Sequence, residues 1–310
     1  MKKKVLAVML TAAMAMSLAA CGTAKEEAPA PAKEEAPVEE AKEEEAPAEE
    51  EAAPEVEETE ADAVNYELVV FAAASMTESL TAVAEKYNEY NPDVNITFTF
   101  DSSGTLKTQI EEGAHCDLFI SAAPKQMNQL DIEADPEVNT DGLDFVVSES
   151  RIDLLENKVT LCVSDTSEAG IDSFDSLAEA LKGGNVLLAM GNADVPVGQY
   201  TQKIFAFYGI DEEAIQDKLT YGSNVKEVTT AVVEGTADCG IIYKTDAFSA
   251  GLTPVDEATS DMCGQVIYPA AVLKESCNVE LAYDFLTFLT GPEASAEFEK
   301  VGFTPLAAAE

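Results

Sequence analysis

The sequence predicts an α/β fold in which mixed, mainly parallel sheets are flanked by helices. Short apolar stretches of strand length alternate with amphipathic helical patterns along residues 64–310, and no internal repeat interrupts this series. About 247 residues exceed one compact core of ordinary size. We therefore expect two lobes with a cleft between them, a place where proteins commonly bind ligands.

The first series of elements opens with a strand over residues 67–72 and a helix over 76–90, whose apolar residues follow a spacing of three and four. Residues 94–100 alternate apolar and polar side chains, which is typical of a half-buried strand. The series continues with a helix near 105–112, a strand over 117–121 and a helix over 124–130.

The second series has the same alternating character. It comprises strands over 158–163, 185–190, 239–243 and 265–273, and helices over 174–182, 198–208, 225–234, 279–289 and 292–301.

The first 20 residues have the pattern of a signal peptide, because three lysines at positions 2–4 precede an apolar run of 16 residues. A spanning helix needs roughly 20 apolar residues, so the run is short for one. It ends in Leu-Ala-Ala-Cys-Gly, which resembles the bacterial lipobox and implies cleavage before Cys21 and acylation of its thiol. We expect an extracytoplasmic lipoprotein that is anchored to the cell membrane through Cys21.

Residues 21–63 form the next segment, a tether that begins at the acylated cysteine. Residues 22–62 contain 17 acidic and three basic side chains among many Ala and Pro residues. Charge repulsion and the low apolar content predict an extended, disordered tether. The alternative is an acidic interaction tail.

Composition excludes several classes of function for residues 64–310. This part has 42 acidic and 12 basic side chains, and a surface of that charge repels nucleic acid. Besides Cys21, the thiols are Cys116, Cys162, Cys239, Cys263 and Cys277. Their number is odd and none forms a Cys-x-x-Cys pair, so we expect no metal site and mostly buried free thiols, with Cys263–Cys277 as the disulfide to test.

An enzyme would have few groups to work with. The chain has one histidine, and it lacks a Gly-x-Ser-x-Gly elbow, a His-Glu-x-x-His motif and a phosphate-binding loop. A serine hydrolase would need His115 as base, Ser75 or Ser103 as nucleophile and Asp117 to orient the imidazole. We expect no enzymatic activity.

Small hydroxyl residues stand where strands pass into helices. Ser75 follows the first strand and begins a Ser-x-x-Glu capping-box pattern, and Ser103 lies in the turn after the third element. Two further turns precede helices at Val197 and Val225, and Tyr243 closes an apolar strand. Helix starts present unpaired N–H groups, so converging starts bind an anion without Lys or Arg. Taken singly, each of these residues is as well explained by a structural role.

A family resemblance rests on six segments and their order. They are Phe71-Ala72-Ala73-Ala74-Ser75, Phe100-Asp101-Ser102-Ser103, Asp117-Leu118-Phe119-Ile120-Ser121-Ala122, Val195-Pro196-Val197-Gly198, Gly240-Ile241-Ile242-Tyr243 with Asp246-Ala247, and Tyr268-Pro269. In this order they resemble the molybdate-binding proteins of ABC importers over essentially residues 65–305. The resemblance implies the two-lobed periplasmic-binding-protein fold of type II, with residues 64–156 and 252–310 in the first lobe and 157–251 in the second.

The resemblance also implies a ligand, its binding residues and a partner. The ligand is molybdate or tungstate, held through its oxygens by the hydroxyls of Ser75, Ser103 and Tyr243 and by the N–H groups of Ser75, Ser103, Val197 and Val225. No cofactor or cation ligand is implied, and a monomer would deliver the oxyanion to the permease of an ABC importer. Sulfate and phosphate receptors share the fold class, and a serine hydrolase is the alternative from another class.

Two places depart from the pattern of the family: Asp101, and Ala123-Pro124, which replaces a more polar continuation. Asp101 stands next to the serine pair, where a small neutral residue is common, and its carboxylate would repel an anion. We therefore expect Asp101 to face away from the cleft.

Overall fold

The computed structural model describes residues 65–306. The predicted signal peptide (residues 1–20), Cys21 and the tether (residues 21–63) lie outside these residues. Within them, no helix combines the length and the apolar character that crossing a membrane requires.

Strands and helices alternate along most of the chain. The strands are β1 (Tyr66–Ala73), β2 (Val94–Asp101), β3 (Leu118–Ile120), β4 (Ile152–Asn157), β5 (Val159–Val163), β6 (Leu188–Gly191), β7 (Leu219–Gly222), β8 (Cys239–Tyr243), β9 (Asp256–Glu257), β10 (Val266–Val272) and β11 (Thr304–Pro305). The helices are α1 (Thr77–Tyr90), α2 (Ser103–Glu111), α3 (Pro124–Leu130), α4 (Phe174–Gly183), α5 (Pro196–Tyr208), α6 (Val225–Val233), α7 (Lys244–Ser249), α8 (Ser260–Cys263), α9 (Val279–Leu289) and α10 (Pro292–Val301). Short 3₁₀ turns occupy Ala74–Met76, Ser148–Ser150 and Glu213–Lys218.

The strands form two sheets. One has six strands in the order β11-β4-β10-β3-β1-β2, and the other has five in the order β7-β6-β8-β5-β9. We call the six-stranded sheet with its helices the first lobe and the five-stranded sheet with its helices the second lobe. The first lobe thus takes strands from both ends of the folded part, and the second takes strands from its middle.

Both sheets are mixed, as the sequence predicts, but they are not mainly parallel. Strands β1–β2, β1–β3, β6–β7 and β6–β8 pair in parallel. The pairings β3–β10, β4–β10, β4–β11, β5–β8 and β5–β9 are antiparallel. The antiparallel strands include those that carry the chain between the sheets, at β4 to β5 and at β9 to β10, and local sequence patterns do not report their direction.

Strand β1 is buried on both faces, because helices cover both sides of its sheet. Leu68 and Val70 belong to one apolar cluster with Leu80 of α1, whereas Phe71 belongs to another with Leu106 of α2. Adjacent side chains of a strand point to opposite faces, so this division follows from the pleat. The packing places the carboxyl end of β1 and the start of the next helix at the same edge of the sheet.

Strand pairing locates one boundary differently from our prediction. We placed residue 251 at the end of the second lobe, but β9 at Asp256–Glu257 pairs with β5 of the five-stranded sheet. A strand of two residues is too short to show the alternation of apolar and polar side chains that predicts a strand, so the sequence does not reveal β9. The other lobe boundaries stay predictions.

The five cysteines within residues 65–306 do not form a disulfide. Cys116, Cys162, Cys239 and Cys263 are buried, Cys277 is exposed, and all five are free. The Cys263–Cys277 pairing that we named as the one to test is therefore absent. Burial raises the pKa of Cys162 to about 11 and that of Cys239 to about 12, so both behave as small apolar side chains.

Candidate functional site: a cavity between the two sheets

A small cavity lies where turns of the two lobes meet. About 200 Å³ of space lies between its atoms, part of it open to solvent, and its lining includes all five residues predicted to bind the ligand: Ser75, Ser103, Val197, Val225 and Tyr243. Wider grooves occur elsewhere, for example between α7 and α10, but the lysines in that groove already pair with carboxylates. We therefore take this cavity, and not the grooves, as the candidate functional site.

Ser75 reaches the cavity from the 3₁₀ turn that follows β1. The side chain does not cap a helix, because neither the turn nor α1 has a side-chain cap, so the capping-box prediction is wrong. Instead the Ser75 hydroxyl lies 2.8 Å from the hydroxyl of Tyr268 on β10. Only 3 % of Ser75 is exposed. Its orientation is thus set by a partner far along the chain.

Ser103 is the first residue of α2, and the capping is done by its neighbour. The Ser102 hydroxyl accepts a hydrogen bond from the N–H of Thr105 at 3.1 Å, which closes the first turn. The hydroxyl oxygen of Ser103 accepts one from the N–H of Ala122 at 2.9 Å. Because that oxygen already accepts, its own O–H is left to donate to a ligand.

The second lobe contributes two helix starts. Val225 is the first residue of α6, and Val197 follows Pro196 at the start of α5. N–H groups in the first turn of a helix have no acceptor within that helix, and they lie at the positive end of its dipole. Both valines are almost fully buried, and both belong to the lining of the cavity.

Tyr243 ends β8 and carries an unused hydroxyl. The Tyr243 Oη is buried and lacks a hydrogen-bond partner within residues 65–306. Burial raises its pKa well above the ordinary value, so the hydroxyl stays neutral and keeps its proton. A buried hydroxyl without a partner costs free energy unless a ligand or a water molecule forms a hydrogen bond with it.

Two residues, Tyr268 and Asn157, support this site in a way that the sequence did not predict. Tyr268 Oη accepts a hydrogen bond from Asn157 Nδ2 at 3.2 Å as well as contacting Ser75, and Asn157 Nδ2 also lies 3.0 Å from Thr245 Oγ1. Asn157 ends β4 where the chain leaves the first sheet for the second. The family resemblance includes the segment Tyr268-Pro269 without assigning it a role, and no local pattern indicates that Tyr268 contacts Ser75.

Asp101 is among the residues that line the cavity, whereas we expected it to face away. Its Oδ1 accepts hydrogen bonds from the N–H of Ser102 at 2.7 Å and from Asn224 Nδ2 at 3.2 Å. Asn224 caps α6 of the other lobe, so the carboxylate is engaged by donors at the edge of the cavity. These donors offset part of the repulsion that Asp101 would exert on an anion.

The groups needed for a serine hydrolase are not assembled. His115 Nε2 lies 3.4 Å from Asp117 Oδ2, but the imidazole is 43 % exposed and is not part of the cavity lining. Asp117 also accepts hydrogen bonds from the N–H groups of Val69 and Cys277, which gives it a structural role. Neither Ser75 nor Ser103 has a base among its hydrogen-bond partners.

The lining of the cavity, as described, has no Lys, Arg or His side chain. Likewise, no group of three or more His, Cys, Asp or Glu side chains within residues 65–306 is arranged to hold a metal ion. What the cavity offers is a set of neutral hydroxyl and N–H donors from both lobes. Such a set suits a small oxyanion, whose oxygens accept hydrogen bonds in several directions.

A family model and individual relatives place the chain in the same family. The sequence model of the bacterial extracellular solute-binding proteins matches residues 68–304. YvgL of Bacillus subtilis (strain 168), whose name describes an ABC transporter substrate-binding lipoprotein, is 31 % identical over 239 residues, covering 76 % of this chain and 86 % of the relative. The molybdate-binding protein ModA of Haemophilus influenzae is 32 % identical over 248 residues, covering 78 % of this chain and 91 % of the relative.

Solved structures agree on the fold. The periplasmic molybdate-binding protein of Azotobacter vinelandii superposes with a TM-score of 0.64, covering 76 % of this chain and 98 % of that chain. Its sequence is 20 % identical, so this likeness concerns the fold alone. It confirms the predicted architecture of two mixed α/β sheets flanked by helices.

Proposed function

The chain belongs to the bacterial extracellular solute-binding proteins, and from this premise we propose that it captures molybdate or tungstate in the cavity between its lobes and delivers the anion to an ABC importer. The names of its relatives from Haemophilus influenzae and Bacillus subtilis support both halves of the proposal. The protein acts as a receptor, and no chemical turnover is part of its function.

The observation that carries the proposal is the convergence of neutral donors from five separate segments of the chain on one cavity. Ser75 and Ser103 come from the first lobe, and Val197, Val225 and Tyr243 come from the second. The buried hydroxyl of Tyr243, which has no hydrogen-bond partner within residues 65–306, is the most specific of these features. Burying it without a partner costs free energy, and an anion that accepts its hydrogen bond removes that cost.

The strength of such a site follows from charge-assisted hydrogen bonds. A hydrogen bond to a charged group contributes roughly 1.5–3 kcal/mol, and the proposed ligand set has about seven donors. Together these bonds offset the loss of hydration of a dianion, provided that water is excluded. The longer metal–oxygen bonds of molybdate and tungstate fill a cage in which sulfate would fit loosely, which favours the larger ions.

Location and partners complete the proposal. Proteins of this family act outside the cytoplasm, and we propose that Cys21 is acylated and anchors the chain to the membrane. The acidic tether of residues 21–63 then keeps a monomeric receptor near its permease. A tethered receptor stays at a high local concentration, whereas a soluble one would diffuse away from a cell without an outer membrane.

Calorimetric titration tests the proposed function. The folded part, residues 64–310, is titrated with molybdate, tungstate, sulfate and phosphate. We expect molybdate and tungstate to bind at micromolar concentrations or below and the two smaller anions to bind more weakly. Failure of both molybdate and tungstate to bind would exclude this function.

A further inference from the structure

Three charged side chains lie beside the cavity without lining it. Lys226 Nζ donates to both carboxylate oxygens of Glu78 at 2.8 Å, and it lies 3.5 Å from Asp246 Oδ1. The ammonium group thus stands between two carboxylates. None of the three residues contributes to the cavity lining.

The Lys226–Glu78 contact joins the two lobes. Glu78 lies in α1, which follows β1 of the six-stranded sheet, and Lys226 lies in α6, which follows β7 of the five-stranded sheet. Lys226 follows Val225 directly, and Asn224 on the other side of Val225 donates to Asp101 of the first lobe. The helix start at Val225 is therefore flanked by two contacts that cross between the lobes.

Asp246 lies next to Lys226 on the second lobe. It lies in the first turn of α7, directly after β8, and only 1 % of the residue is exposed. Its carboxylate oxygens make no hydrogen bond within residues 65–306, so the nearby ammonium group is its main compensation. Burial raises the pKa of Asp246 to about 7, and Lys226 acts in the opposite direction.

We propose that Lys226 is an electrostatic latch, which Asp246 holds on the second lobe and which binds Glu78 of the first lobe when the cleft closes over the oxyanion. The latch rests on the proposed function, because it couples occupancy of the cavity to closure. Lys226 is a positioning residue rather than a ligand of the anion. It stabilises the closed state and slows release.

An isolated surface ion pair would have no such effect, and the chain offers a matched comparison. Lys244 and Glu257 lie 2.6 Å apart with side chains 44 % and 45 % exposed, but both belong to the second lobe. The Lys226 and Glu78 side chains are 33 % and 46 % exposed. Glu78→Gln and Glu257→Gln thus remove the same charge from similarly exposed pairs, one across the lobes and one within a lobe.

A zero-length cross-link measures the contact directly. In the purified full-length protein, a carbodiimide activates the Glu78 carboxylate and leaves as a urea when the Lys226 amine displaces it, forming an amide. Mass spectrometry quantifies this amide with and without molybdate. We expect its yield to rise with molybdate in the wild type and to fall in Asp246→Asn, where Lys226 loses its support.

Binding measurements complete the test. We expect Glu78→Gln to weaken molybdate binding about two- to five-fold through faster release, with less effect in high salt, and Glu257→Gln to leave binding unchanged. Lys226→Arg should retain the affinity, since it keeps the charge. The Glu78 variant is the main probe, because Lys226 variants without a charge leave Asp246 buried and unpaired.

The outcomes separate the latch from the proposed function. The latch is overturned if the Glu78–Lys226 amide does not form, if its yield ignores bound molybdate, or if Glu78→Gln binds like the wild type. If the wild type binds none of the four oxyanions, the proposed function fails. In that case an amide still supports the contact between lobes, and its absence overturns the latch as well.

Discussion

The hydroxyl of Ser75 lies 2.8 Å from the hydroxyl of Tyr268, although 193 positions separate the two residues. Because Tyr268 Oη already accepts a hydrogen bond from Asn157, its own proton is available for Ser75 Oγ. In that arrangement the Ser75 proton is free to donate to an oxyanion. Tyr268 thus orients the Ser75 hydroxyl, although Tyr268 itself is not part of the cavity lining.

Replacing Tyr268 by Phe should reduce both affinity and stability. We expect molybdate binding to weaken about tenfold, because Ser75 loses its orientation, and the free energy of unfolding to fall by about 1–3 kcal/mol, because buried partners lose a hydrogen bond. Calorimetry and urea unfolding measure the two effects. Tyr87→Phe is the control: Tyr87 is buried and donates to Asp284 at 2.6 Å outside the cavity lining, so it should lose stability and keep its affinity.

Tyr243→Phe should separate affinity from stability. The variant loses a charge-assisted hydrogen bond, so molybdate binding should weaken about 10- to 100-fold. The free protein should be as stable as the wild type or more stable, because the buried hydroxyl has no partner to lose. Tyr200→Phe, a buried neighbour whose ring centroid lies 6.4 Å away, should leave binding unchanged. An equal loss of affinity in both variants would contradict the role of Tyr243.

Gly104→Ala should obstruct closure. A Cβ at Gly104 on α2 would lie 2.2 Å from the backbone oxygen of Asp194 on the other lobe. In an open cleft, alanine should stabilise the helix by up to about 1 kcal/mol, since Gly104 lies within α2. We therefore expect unchanged or higher thermal stability of the free protein and at least tenfold weaker molybdate binding.

Gly183→Ala is the control for Gly104→Ala. Gly183 also lies within a helix, but no atom comes within 4 Å of an added Cβ. This variant should gain stability without losing affinity. Full molybdate affinity in Gly104→Ala would refute the close approach of the lobes at this point.

Asp246 should make stability depend on pH. Burial is the main cause of its raised pKa, about 7 against an ordinary 3.8, so between pH 4 and 7 the folded state binds more protons than the unfolded state. Stability from this group is therefore lost as the pH rises. The ionisable groups that face it are Lys226, Glu78, Cys162, Tyr243 and Tyr268.

Asp246→Asn tests this dependence. The free energy of unfolding of the variant, relative to the wild type, should be higher at pH 8 than at pH 5, as measured by urea unfolding. The thiol and the two phenols have pKa values above 8, so they do not titrate in this window. The same difference at both pH values would mean that Asp246 does not carry the effect.

Cys21→Ser should release the protein from the membrane. A serine cannot accept the thioether-linked lipid, so the chain loses its anchor. Fractionation of cells should find the wild type with the membranes and the variant in the soluble fraction or the medium. A membrane-bound variant would point to another anchor.

Most of the fold and the cavity residues follow from local patterns in the sequence. Helices α3, α9 and α10 and strand β8 begin and end where periodicity, Pro and Gly indicate. The cavity residues stand at strand-to-helix turns, which short motifs report well. The fold class was therefore predictable before any contact was known.

The missed features depend on contacts that are distant in sequence. Strand β4 was not predicted because Leu154 and Leu155 are both buried, one on each face, which removes the alternation of a half-buried strand. The Ser75–Tyr268 contact joins the two parts of the sequence, one near each end of the folded chain, that together form the first lobe. The position of Asp101 depends on Asn224 of the second lobe, a partner that neighbouring residues do not reveal.

The most direct test locates the anion itself. Crystals grown with molybdate are measured near the molybdenum absorption edge, where anomalous scattering marks the metal. The account predicts one strong peak in the cavity, with its oxygens within hydrogen-bond distance of the hydroxyls of Ser75, Ser103 and Tyr243. An empty cavity at saturating molybdate, or a peak bound elsewhere, would contradict it.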